Sequence, residues 1–163
     1  MKKNIYLLFF ILFLGVFSCS KNGDDLKEIE PEVPVIDVDK AIIGTWKYTT
    51  YEYVSNDTSK EPATGTLVIR NDGTFTMTGD LIGYKGLISY YDEKYSVTEV
   101  EGTYNFYNKE DFSFHIDAKK YPNLITRNNV PTSMSDNGKT MKLTHKWTQG
   151  SFIFSESWYF TKN

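Results

Sequence analysis

The 163-residue chain has one cysteine, Cys19, and two histidines, His115 and His145. A single thiol excludes an intramolecular disulfide and any metal site built on clustered cysteines. Basic charge is in short supply: 18 Lys and Arg against 21 Asp and Glu leave a net charge of −3. No basic run with interleaved aromatics occurs, so a nucleic-acid partner is not expected. Neither a Gly-x-x-x-x-Gly-Lys phosphate cradle nor a His-Glu-x-x-His zinc motif is present, and no metal or cofactor is expected. No segment carries the sustained period of a long amphipathic helix. The apolar run over residues 5–17 is shorter than the about 20 residues that cross a bilayer.

That run follows Lys2 and Lys3 and ends in Val16-Phe17-Ser18-Cys19, which has the form of a secretory leader rather than a permanent anchor. Val16 and Phe17 make a poor small-x-small peptidase site. The stretch instead resembles the lipobox of bacterial lipoproteins, with an aliphatic residue three before a cysteine and a small residue just before it. The resemblance implies a signal peptide over residues 1–18, acylation of Cys19, and a membrane partner held by several acyl chains. Residues 19–41 then form an acidic tether: Asp24, Asp25, Glu28, Glu30 and Glu32 repel one another, and Pro31 and Pro34 favour extension. Ser20-Lys21-Asn22-Gly23-Asp24-Asp25 resembles the acidic export signal of lipoproteins in the Bacteroides–Flavobacterium group. It implies a lipid-anchored place on the outer face of the outer membrane, with the periplasmic leaflet as the alternative.

From residue 42 onward the composition turns to Thr, Tyr, Phe and Trp in short runs broken by Gly, Asn and Asp, the mark of strands joined by turns. Strands are expected over residues 44–54, 65–70, 74–78, 86–91, 95–107, 111–117, 139–148 and 151–161. Asn71-Asp72-Gly73 supplies a tight turn between the second and third, and Gly102 is expected to mark a bend or bulge in the fifth. Residues 118–136, with two prolines and weak periodicity, read as a long loop. Eight short strands in nearest-neighbour order predict an all-β fold, a single small antiparallel up-and-down barrel; a two-sheet sandwich gives the same alternation. The stretch 42–163 resembles the small lipocalin-like domains of lipoproteins in the same bacterial group. Ile43-Gly44-Thr45-Trp46, Asn71-Asp72-Gly73-Thr74-Phe75, Gly102-Thr103-Tyr104 and Ser135-Asp136-Asn137-Gly138 carry the likeness. It implies that Trp46 packs across the closed end of the barrel.

Candidate chemistry is sparse. His115 shares a face with Ser113 and Asp117, opposite Phe112 and Phe114, and is expected in solvent. His145 lies on the apolar face of Met141, Leu143 and Trp147. With Gln149-Gly150 as a two-residue turn, Leu143 opposes Glu156 and His145 lies diagonal to it. An acid on an aromatic face needs a partner, so His145 and Glu156 are expected to form a polar pair or the polar part of a cavity. Tyr104, from a tyrosine set larger than such a core requires, joins them as a ligand contact. No nucleophile or third catalytic member accompanies the pair, so no enzyme is expected. The leading functional expectation is a noncatalytic, membrane-tethered domain that binds a small apolar or amphiphilic ligand within or at the mouth of the barrel. The alternative is an envelope module with a filled core that binds a protein or glycan.

Overall fold

The computed structural model describes residues 38–90, 96–107 and 111–163. The leader, Cys19 and the tether up to residue 37 lie outside the described residues, as do Tyr91 and Tyr95. A one-turn helix, α1 (Val38–Ala41), precedes β1 (Gly44–Val54), β2 (Thr58–Ile69), β3 (Thr74–Gly79), β4 (Ile88–Tyr90) and β5 (Glu99–Phe106). After these come β6 (Asp111–His115), β7 (Leu124–Thr126), β8 (Val130–Ser135), β9 (Thr140–Gln149) and β10 (Phe152–Lys162).

Eight of these strands close an all-β antiparallel barrel in the order β1-β10-β9-β8-β6-β5-β3-β2, which is the up-and-down arrangement with β10 returning to β1. Closure gives each barrel strand a neighbour on both sides, with the β6–β8 seam the briefest of the pairings. The strand membership differs from expectation. The segment over residues 86–91 is not a barrel strand: β4 pairs with β7 in a separate two-stranded ribbon. The loop expected over residues 118–136 contains β7 and also β8, which takes the eighth barrel position. The pattern of β8 is weak because its inward face is short and interrupted: Val130 and the half-buried Met134 flank the buried Thr132, whose hydroxyl donates to the Val130 carbonyl. Pro131 faces outward opposite Asp111, and only two residue pairs join β8 to β6.

The interior is filled with aromatic rings. Trp46, Tyr48, Phe75, Phe112, Phe114, Trp158 and Phe160 are fully or almost fully buried. Phe75 meets Phe114 edge-on at 5.0 Å between ring centres, and Phe114 meets Phe112 at 4.4 Å, the arrangement that brings a positive ring edge to a negative face. Trp46 closes the end where β1 begins. Its indole N–H donates to the Ile42 carbonyl at 2.6 Å, and the Lys162 ammonium sits 5.1 Å over its ring while donating to the Ala41 carbonyl.

Gly102 lies in regular register opposite Phe75, so it is not a bulge. The glycine is required by close approach: a Cβ there would stand 2.1 Å from the His115 carbonyl oxygen and 2.9 Å from the Phe75 ring. The irregularity lies in β1 instead. Its register breaks between Tyr48 and Thr50 against both β10 and β2. Before the break Trp46 and Tyr48 point inward; after it Tyr51 takes the inward place and Glu52 turns outward to Lys60 at 2.8 Å. Pro62 of β2 stands opposite Thr50 at this break, where a missing N–H is tolerated. The Thr49 hydroxyl donates to the Tyr159 carbonyl at 3.0 Å and bridges the break.

Candidate functional site

The β1–β2 and β9–β10 hairpins extend past the filled interior at the end opposite Trp46, and the β4–β7 ribbon lies in the connections at that same end. Between them opens a pocket of about 720 Å³, a size suited to a small molecule. Tyr51 and Tyr53 of β1, Ser59 and Glu61 of β2, His145 and Trp147 of β9 and Glu156 of β10 form one side. Tyr84, Lys85, Ser89, Tyr90 and Arg127 form the other.

The floor is held by the segment between β3 and β4. The Lys85 carbonyl accepts from the Tyr48 hydroxyl at 3.3 Å and from the Trp158 indole N–H at 2.9 Å, which satisfies two buried core donors with one backbone group. The Lys85 side chain pairs with Glu61 at the rim.

Glu156 is the chemical centre. It is 6% exposed, and its Oε1 accepts from the Tyr51 hydroxyl at 2.9 Å. Arg127 Nη2 lies 3.2 Å from Oε2 but off the direction a hydrogen bond needs. Oε2 therefore has a charge partner and no donor, and the buried Arg127 Nε has no acceptor, among the described residues. Burial, then the charge and hydrogen bond of Glu156, push the Tyr51 phenol well above its ordinary range, so it stays a donor. Burial first and Arg127 second push the His145 imidazole below its ordinary 6.5, against the opposing pull of Glu156, so it is neutral at pH 7. His145 stacks on Trp147 at 5.5 Å, Trp147 on Phe154 at 5.5 Å, and Tyr53 lies 6.3 Å from Trp147. The result is a polar floor beside a run of near-parallel rings.

His145 and Glu156 come together more directly than the sequence pattern implies. The turn is Gly150-Ser151, with Gly150 at φ 63° in the first central position that a type II′ turn reserves for glycine. The register moves by two residues, the inward faces are kept, and Glu156 stands opposite His145 instead of Leu143. No hydrogen bond joins the two side chains among the described residues; Tyr51 and Arg127 are the partners of the carboxylate. Tyr104 does not join this site. It lies at the other end of the barrel, beside the β2–β3 turn, with its hydroxyl donating to the Arg70 carbonyl at 2.7 Å and its ring packed on Phe112. His115 is exposed and hydrogen-bonded to Asn105, and no cluster of metal-ligating side chains occurs among the described residues. Sequence reasoning missed Arg127 and Lys85, isolated cations in connections with no periodicity. For Tyr51 and Tyr53 a signal existed in Pro62, which is compatible with a strand only at an edge or irregularity.

No family model and no curated protein matches this chain.

Proposed function

We propose that this protein is a noncatalytic lipoprotein, tethered to the membrane through acylated Cys19, whose barrel binds a small amphiphilic ligand at its mouth. The observation that carries the reading is the pocket of about 720 Å³ above an interior already filled by Trp158, Tyr48 and Phe75. A filled interior favours the mouth over the lumen, and the joint presence of Trp147, Tyr53, Arg127 and Glu156 favours an amphiphile over a wholly apolar ligand. The lipobox-like Val16-Phe17-Ser18-Cys19 and the acidic stretch after it support a lipid anchor at the outer membrane, facing the cell surface.

A second reading, an envelope module that binds a protein or glycan by its rim, is favoured by the filled core expected of it and by one surface feature. Tyr84, Phe152 and Ile153 are 87%, 54% and 68% exposed, and the last two flank the tip of the β9–β10 hairpin.

The Cys19→Ala variant separates address from holding. Expressed in the native cells, it is expected to leave the membrane fraction for the soluble one, and retention at the wild-type level rejects the anchor. Gentle native mass spectrometry of the released protein is expected to reveal a bound species of a few hundred daltons. A ligand-free mass, with no small molecule recovered on denaturation, counts against the carrier and for the rim module.

A further inference from the structure

The chemistry of the pocket floor narrows what its ligand presents there. Among the described residues four charged side chains line the pocket, and they cancel in pairs: Arg127 with Glu156 on the floor, Lys85 with Glu61 at the rim. His145 adds no charge at pH 7. Among the described residues the site thus holds no free cation to attract a carboxylate or phosphate and no free anion to attract an ammonium. A charged head group would leave one like charge beside it in a poorly solvated place, which is costly.

What the floor does hold is one unmet donor and one unmet acceptor. Arg127 Nε and Glu156 Oε2 both lack a hydrogen-bond partner among the described residues and are closed to solvent, so a ligand group reaches them where the Arg127 and Glu156 side chains, both in the pocket wall, part to admit it. Unpaired buried polar atoms are costly, and a group that satisfies them gains correspondingly. A carboxylate accepts from Arg127 but meets Glu156 acceptor to acceptor. An ammonium donates to Glu156 but meets Arg127 donor to donor. An alcohol oxygen accepts and donates at once, and a ring bearing several such groups has C–H faces that pack on aromatic rings such as Trp147 and Tyr53.

We infer that the pocket recognises an uncharged, hydroxyl-bearing ring, a sugar or cyclic polyol head group, through Arg127 and Glu156, with the apolar part of the ligand against Trp147 and Tyr53. This rests on the mouth-binding reading and assigns the ligand class to it.

The test compares four probes that share one six-carbon tail: hexyl β-D-glucoside, hexyl β-D-galactoside, hexanoate and hexylammonium. Binding to the full-length protein is read by tryptophan fluorescence, since Trp147 is the one half-buried tryptophan and Trp46 and Trp158 are fully buried. At least one glycoside is expected to bind roughly tenfold or more tighter than either ion. Glu156→Gln frees the Arg127 charge and is expected to weaken the glycoside and raise hexanoate affinity, a change of preference that mere loosening of the fold does not produce. Should that variant unfold, Arg127→Gln makes the mirror test, with hexylammonium gaining. Hexanoate or hexylammonium binding as tightly as both glycosides overturns the head-group assignment and leaves mouth binding intact. Glycoside affinity unchanged in both variants does the same. Failure of all four probes in the millimolar range removes the mouth-binding reading and the inference together.

Discussion

At the scale of single residues, His145 is where the fold and the pocket are most tightly linked. It faces Glu156 across the β9–β10 pair, and the pocket it lines also contains Arg127, Glu61, Lys85, Tyr51 and Tyr53. Burial and Arg127 lower its pKa below 6.5. The unfolded chain therefore takes up a proton near pH 6.5 that the folded chain still refuses, and stability falls as pH drops through that value until the folded imidazole is itself protonated. Glu52 and Glu61, whose pKa values are lowered from 4.5 by Lys60 and Lys85 respectively, act in a lower window, because their contribution is present above 4.5 and lost below it. Between pH 7.5 and 5.5 the loss should accordingly belong to His145. The urea midpoint of the wild type is expected to fall over that interval, and that of His145→Gln to fall distinctly less. Parallel slopes for the two proteins would show that burial does not suppress protonation of this ring.

At the scale of elements, the sequence makes the closed all-β barrel legible and obscures how its strands are recruited. Long alternation with large inward rings, as in Gly44–Val54 and Phe152–Lys162, is readable because every second side chain must fill the interior. β8 is unreadable by the same rule, since Thr132 takes the place of an inward aliphatic residue, Pro131 on the outer face argues against a strand, and pairing with β6 is brief. β4 looks like a barrel strand because Ile88 is buried, but it is buried at the pocket end, in a ribbon with β7. The candidate site was half legible. An acid on an aromatic face singles out Glu156 and its neighbour His145, whereas the inward turn of Tyr51 depends on a register break that period-two reading does not contain. Gly102 was legible as special and misread as to cause: its missing side chain makes room for the His115 carbonyl and the Phe75 ring. Gly102→Ala is therefore expected to destabilise by about 1–3 kcal/mol through overpacking, read as a lower urea midpoint with unchanged slope. A neutral result would mean that β5 and β6 separate without cost, contrary to a close-packed seam.

At the scale of the whole molecule, the barrel divides into an end that is closed for stability and an end left open to solvent. Trp46, Ile42 and Lys162 seal the first, while paired charges and half-buried rings furnish the second. This polarity bears on where the fold starts. The expected boundary between tether and domain fell at residue 42, yet α1 already covers Val38–Ala41 and the Ala41 carbonyl takes a hydrogen bond from Lys162. Ile42 is completely buried and its carbonyl is the acceptor for the Trp46 indole. A chain starting at Val38 keeps all of these contacts, and one starting at Gly44 loses them all. Removing buried Ile42 alone costs about 1.5–3 kcal/mol, before the indole N–H loses its partner. Urea unfolding of the two shortened chains against the soluble Cys19→Ala protein is the measurement. The chain from Val38 is expected to match that reference, because acidic, proline-bearing residues before it have little apolar surface to bury. The chain from Gly44 is expected to unfold at a clearly lower midpoint. Equal losses in both would place part of the fold upstream of Val38 and end the description of that stretch as a tether; no loss in either would remove Ile42 and Ala41 from the structural seal of the closed end.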